Sequence, residues 1–179
     1  MTNIILTQYA EIELCTKTKA DIADLLTHSF PGVFQTGRVF FKQIPQFRIL
    51  AYYEQKLVGH LGVDHRVVLA DGEPIEILGV TDLCVHASYR NRGLGTKLLK
   101  QLDEFSHDKH IQVIIAFADN PILYANYGFE TCKTKCRFLA VDVDGPNLMS
   151  HSVIEREESS LMILGNTKYA HIDFLGHIF

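Results

Sequence analysis

The chain has 179 residues, 47% of them apolar and 21% charged, with a formal net charge of −4 at pH 7. That is enough chain to bury a core as a single domain over residues 1–179. The acidic balance argues against a basic nucleic-acid surface, and no apolar run reaches the ~20 residues that span a membrane. The opening six residues lack the basic start and small-residue cleavage site of a secretory leader. The four cysteines, Cys15, Cys84, Cys132 and Cys136, are too few and scattered for a disulfide framework. A reduced, cytoplasmic protein is expected. No metal is expected either, because no Cys/His pair of zinc spacing completes Cys132 and Cys136.

Thr18-Lys19-Ala20-Asp21 has the form of a capping box with Asp in place of Glu. Ile22, Leu25, Leu26 and Phe30 follow at helical spacing, and Pro31-Gly32 closes that helix. Residues 38–44 are expected to form a second short helix, stopped by Pro45. Residues 47–53 read as a strand, Glu54-Gln55-Lys56 as a turn, and residues 57–70 as a second strand. Asp71-Gly72 is a hairpin signal leading into a third strand over 74–86. A short, basic, glycine-rich segment comes next, Arg90-Asn91-Arg92-Gly93-Leu94-Gly95. Leu94, Leu98, Leu99, Leu102 and Phe105 then mark an amphipathic helix. Residues 111–117 read as a buried parallel strand, and 120–127 as a short helix capped by Gly128. Strands over 137–143 and 160–164 and an extended piece over 172–179 complete the chain. A meander followed by helix, strand and helix gives a mixed α/β (α+β) domain with one central sheet.

The segment between the third strand and its helix carries the chemistry. A helix N-terminus exposes unpaired N–H groups and a partial positive charge. Glycines let the backbone approach a ligand, and two arginines add formal charge. Together they suit a pyrophosphate. The same residues also suit a tight turn with solvated arginines. The segment is neither a Walker loop, which needs Gly-Lys-Ser/Thr, nor a dinucleotide fingerprint, whose third glycine and βαβ opening are missing.

Val85-His86-Ala87-Ser88-Tyr89-Arg90-Asn91-Arg92-Gly93-Leu94-Gly95 resembles the acyl-CoA motif of the GNAT acyltransferases: Val, a short loop, then Arg/Gln-x-x-Gly-x-Gly/Ala. Further on, Tyr124-Ala125-Asn126-Tyr127-Gly128-Phe129 is similar to the family's second motif, Tyr-x-x-x-Gly-Phe. The resemblance covers residues 20–179. Phe30-Pro31-Gly32-Val33-Phe34, Val58-Gly59-His60 and Arg66 resemble bacterial aminoglycoside N-acetyltransferases. Pro45-Gln46-Phe47-Arg48 and His60-Leu61-Gly62 resemble the nodulation N-acyltransferases.

The resemblance implies a GNAT fold: a mixed, mostly antiparallel sheet splayed between its middle strands and flanked by helices. It implies acetyl-CoA as donor, with acetyl passing directly to a primary amine of a small molecule, such as an amino sugar or aminoglycoside. A longer acyl chain, a protein amine, or a non-catalytic CoA-binding sensor are the alternatives. The partner is then a small-molecule amine, with no nucleic acid and no membrane, and the protein a monomer or homodimer. Backbone groups of Leu83, Cys84 and Val85 would pair with the pantetheine arm. Arg90, Asn91, Arg92, Gly93, Leu94, Gly95 and Thr96 would form the phosphate loop. Asn120 is either a CoA contact or the cap of its helix.

Direct transfer needs a neutral amine, a donor for the oxyanion near Val85, and a proton for the departing thiolate. A CoA thiol titrates like Cys, near about 8.5, so a phenol near about 10 can supply that proton. Tyr124 occupies the family's general-acid position, although a tyrosine packed on the sheet would look the same. The base position on the third strand holds Thr81, a departure from the usual Glu. Asp82 is adjacent, but alternation points it to the other face unless a bulge intervenes. His60 and Asp64, on one face of the second strand, are further candidates, and hydrogen bonding within the sheet is the plain alternative. Phe34, Asp64, Thr81 and Phe179 are the expected acceptor-site residues.

Overall fold

The computed structural model describes residues 4–34, 37–144 and 148–179. Met1, Thr2 and Asn3, which begin the segment read for a leader, lie outside them. The chain divides into two compact units, Met1–Asp64 with Val80–Lys109, and His65–Gly79 with His110–Phe179.

The first unit contains β1 (Ile4–Ala10), α1 (Thr16–Ser29), β2 (Phe47–Tyr53), the first part of β3 (Lys56–Ala70), the last part of β4 (Glu73–Val85), and α2 (Leu94–Asp108). β1 runs antiparallel to β2, from Ile4↔Tyr53 to Ala10↔Phe47. β2 runs antiparallel to β3, from Phe47↔Val63 to Tyr53↔Lys56. Covered on both sides, β2 buries its residues alternately towards two helices. On one side the Phe47 and Phe105 rings meet at 4.8 Å, which seats α2. Gly59, paired with Ala51, lets that helix lie close. A Cβ there would stand 3.1 Å from Ala51 Cβ and 3.3 Å from Leu98 Cδ1. On the other side Leu50 joins Leu14, Ile22, Leu25, Leu26, Leu57 and Cys84 in a core built on α1.

Two sequence expectations change here. α1 starts at Thr16 rather than at the capping-box pattern, and Asp21 pairs instead with Lys17 at 2.7 Å. The helix expected over 38–44 is not formed, and that stretch consists of bends and irregular chain. Val39, Phe40 and Phe41 are β-branched or aromatic and form helices poorly. The Val39 carbonyl is also committed elsewhere, accepting a bond from Arg48 Nη2 at 2.6 Å.

The second unit takes the remaining parts of β3 and β4, then β5 (Val113–Phe117), α3 (Ile122–Tyr127), β6 (Glu130–Thr131), β7 (Lys135–Asp144), β8 (Leu148–Glu157), β9 (Leu161–Gly165) and β10 (His171–His177). The β3–β4 hairpin turns at Asp71 and Gly72, both left-handed at φ 51° and 88°, as the Asp-Gly signal predicts. Its strands follow the order β6-β9-β5-β4-β3-β10-β7-β8. β10 is parallel to β7 and antiparallel to β3, while β5–β9 and β7–β8 are antiparallel, so the sheet is mixed. Val68, Ile77, Val113, Ile115, Phe138, Leu161, Ile163, Ile172 and Phe174 form its core. The fold class is α+β, as expected. β1, β6 and β8 had no counterpart in the sequence reading.

Candidate active site

β4 ends at Val85, and the His86 amide still bonds to Val58 O at 2.9 Å. A short turn, Ala87–Tyr89, follows, and the chain then folds back: Arg90 Nε donates to Val85 O at 2.9 Å. Asn91 and Gly93 take left-handed conformations, φ 59° and 74°, which asparagine tolerates and glycine adopts freely. α2 starts directly after Gly93. Lys97 N to Gly93 O, at 3.0 Å, is the first helical bond, so the amides of Leu94, Gly95 and Thr96 precede it. Arg92 lies over the Tyr89 ring, 5.6 Å from its centroid. A cavity of about 310 Å³ adjoins the loop, with Tyr53, Tyr89, Arg92, Leu94 and Lys97 in its wall. A second, of about 550 Å³, is lined by α1 residues such as Asp24 and His28 and by Lys56, His86 and Arg90. The loop thus combines cations, an aromatic platform and amides at a helix start, the chemistry that holds a phosphorylated ligand.

One step back along β4, Asp82 stands at φ 50° inside the strand. This left-handed residue breaks the alternation that would otherwise send Asp82 away from the Thr81 face. Thr81 Oγ1 lies 3.4 Å from Asp82 Oδ2. Thr81 approaches β3 where Gly62 has no side chain, and a Cβ on Gly62 would collide with its hydroxyl. Burial pushes the Asp82 carboxyl above the ordinary carboxylate range, with Asp64 adding to the rise and Arg48 and Lys42 opposing it. Asp64 is itself buried, 3% exposed.

His60 is fully buried. Its Nε2 lies 2.8 Å from Arg48 Nη1, and its Nδ1 lies 2.9 Å from the Asp82 carbonyl. Burial and the adjacent guanidinium hold its pKa down to about 3. A proton acceptor needs a free lone pair, and both ring nitrogens of His60 are engaged. Arg48, to which the sequence alone assigns no role, is completely buried. It donates from Nε to Glu11 Oε2 at 2.5 Å and from Nη2 to Val39 O. The available signal was an arginine inside an otherwise apolar strand, Phe-Arg-Ile-Leu.

Cys84 is buried, and its thiol is pushed up to about 12, chiefly by burial. It is a packing residue beside α1 rather than a nucleophile. Phe34 is likewise buried in that core, its ring 5.9 Å from Phe30. In the second unit Tyr124 is partly exposed on α3 and meets Phe129 edge to face at 5.3 Å. Asn120 Oδ1 accepts from Ile122 N at 3.2 Å, an Asx turn just ahead of α3, whose N-cap is Pro121. Phe179 covers Gly79 and lies beneath the Arg66 guanidinium, 4.5 Å from its ring centroid. Among the described residues no cluster of His, Cys, Asp or Glu could hold a metal, and no helix is long and apolar enough to cross a membrane.

A family profile for the acetyltransferase (GNAT) domain matches residues 13–132. Among solved structures, the fold is similar to the GNAT family N-acetyltransferase YhbS from Escherichia coli in complex with CoA. That match has 17% identity, covers 97% of this chain and 90% of that one, and has a TM-score of 0.65. It is also similar to a GNAT family acetyltransferase from Brucella melitensis in complex with acetyl-CoA, at 14% identity, 86% and 96% coverage and a TM-score of 0.55. An aminoglycoside acetyltransferase from an uncultured soil metagenomic sample, in complex with sisomicin, matches at 20% identity. It covers 69% of this chain and 82% of that one, with a TM-score of 0.54. Of two longer GCN5-related chains this one spans only 34% and 40%. The loop geometry, the fold and the profile agree: the chain belongs to the GNAT acetyltransferases, enzymes that draw an acyl group from acyl-CoA.

Proposed function

We propose that residues 1–179 act as one GNAT domain, a cytoplasmic enzyme that moves an acetyl group from acetyl-CoA to a primary amine of a small molecule. The observation that carries this reading is the loop before α2. Arg90, Arg92 and three helix-start amides lie within one short loop there, beside cavities lined by Arg92 and by Arg90, a combination suited to a diphosphate. Leu83, Cys84 and Val85 would offer their backbone to the pantetheine arm, and an amide near Val85 would stabilise the oxyanion.

In this scheme the amine nitrogen attacks the thioester carbonyl. A C–N bond forms, the C–S bond breaks, and CoA leaves as thiolate. Asp82 accepts the proton lost by the amine. Its raised carboxyl is a stronger base than an ordinary aspartate, which suits work near neutral pH. Tyr124, at the family's general-acid position, protonates the sulfur. Thr81 and Asp64 border Asp82 and would orient the amine. A cationic amine is attracted by carboxylates at this point, and the sisomicin-bound neighbour favours an amino sugar or aminoglycoside as acceptor.

Release of free thiol from acetyl-CoA, measured against a panel of amines that includes aminoglycosides, polyamines and peptide amines, tests the reading. The expected result is release that depends on an amine and is strongest with amino sugars. CoA binding with no release for any amine would instead support a sensor.

A further inference from the structure

A guanidinium has only donors, so at the Arg48–His60 contact the Nε2 of His60 must accept. The ring proton therefore sits on Nδ1, and His60 donates it to the Asp82 carbonyl at 2.9 Å. Arg48 cannot swing away, because Glu11 and the Val39 carbonyl hold its other nitrogens. The result is a buried relay that starts just past β1, crosses β2 and β3, and ends on β4 at Asp82. Asp82 is also a strand residue at φ 50°, a left-handed conformation that crowds the Cβ of an L-residue against its own backbone. A left-handed residue inside a strand persists only when its surroundings hold it, and the His60 bond supplies a fixed partner for its carbonyl. The next three residues are Leu83, Cys84 and Val85. Around the Asp82 carboxyl stand Arg48 from β2, Lys42 from the preceding loop, Asp64 from β3 and the Thr81 hydroxyl.

We propose that His60, itself held by Arg48, is a positioning residue for acyl transfer: its bond to the Asp82 carbonyl fixes the left-handed turn of the strand at Asp82, and so sets both the aim of its carboxyl and the presentation of the Leu83–Val85 backbone to the donor. This rests on the reading of that segment as the donor strand. Neither Arg48 nor His60 touches the reacting atoms.

The His60→Gln and His60→Asn variants separate positioning from packing. Gln can still accept from Arg48 through Oε1 but leaves the Asp82 carbonyl without its donor. Asn places an amide N–H near the former Nδ1 position and keeps that donor. Two readouts serve: the amide resonance of Leu83, and CoA affinity by calorimetry. The expected result is a displaced Leu83 resonance and about 10-fold weaker CoA binding in His60→Gln, with His60→Asn within about 3-fold of the parent. A folded His60→Gln protein with the parent resonance and affinity would overturn the proposal. So would equal losses in both variants that follow only their melting temperatures. If the parent itself fails to bind CoA, the donor-strand reading falls and the catalytic half of this proposal falls with it. The Leu83 resonance would still report, independently, whether His60 holds the Asp82 conformation.

Discussion

The loop before α2 and the Arg48 relay are both cationic features of the same compact unit, yet they are built in opposite ways. The loop is local: Arg90, Asn91, Arg92 and Gly93 lie side by side, and their cations are exposed. The relay is assembled from Glu11, Val39, Arg48, His60 and Asp82, distant in sequence, and Arg48 and His60 within it are completely buried. An exposed cation gains little in energy from its neighbours but is free to meet a ligand. A buried one must be matched by acceptors on every side, and in return it fixes the backbone around it. The loop is therefore suited to binding, and the relay to holding shape.

The largest break in this comparison is at Arg48. Replacing it with Leu strands the buried Glu11 carboxylate and should cost about 3–5 kcal/mol of stability, measured by urea unfolding. Replacing Glu11 with Leu as well should recover a large part of that loss, since the orphaned charge goes too. A double variant no more stable than Arg48→Leu would show that the pair is not the reason for the cost.

The next effect is catalytic and lies outside both regions. Tyr124→Phe should lower kcat about 100-fold while leaving KM for acetyl-CoA nearly unchanged, because the phenol acts only as sulfur departs. An unchanged kcat would remove Tyr124 from the mechanism.

A smaller effect sharpens the role of burial. Unfolded, His60 takes a proton below its ordinary value of 6.5, whereas folded it stays neutral until about 3. The unfolded chain therefore binds more protons across that window, and stability falls as pH falls through it. From pH 6.5 to 5 this should remove about 2 kcal/mol, a loss absent from His60→Gln. Asp82 works against it: its raised carboxyl binds a proton more readily in the folded chain and offsets part of the loss at lower pH. Unfolding midpoints of the two proteins at both pH values measure the difference.

What could be read in the sequence follows the same division. The loop, the amphipathic helix after it and the Asp71-Gly72 hairpin are signals within a few residues, and all three stand where the pattern placed them. The left-handed conformation at Asp82 was legible only as a condition, because strand alternation says which face is expected and not where it breaks. Arg48 carried no spacing that names a partner, since its partners come from three other segments of the chain. The stretch 38–44 forms no helix, and one carbonyl a helix would need accepts from Arg48, again a tertiary demand. His60 looked like a base by residue type, and only its two occupied nitrogens point to a different job.

The central claim is that the loop before α2 holds the phosphates of the donor, and calorimetric titration with CoA tests it most directly. The parent should bind one CoA per chain. The Arg90→Ala/Arg92→Ala variant, with an unchanged melting temperature, should bind about 10–100-fold more weakly and lose most of its dependence on salt. Equal CoA affinity in the two proteins, or no binding by the parent, would contradict the account.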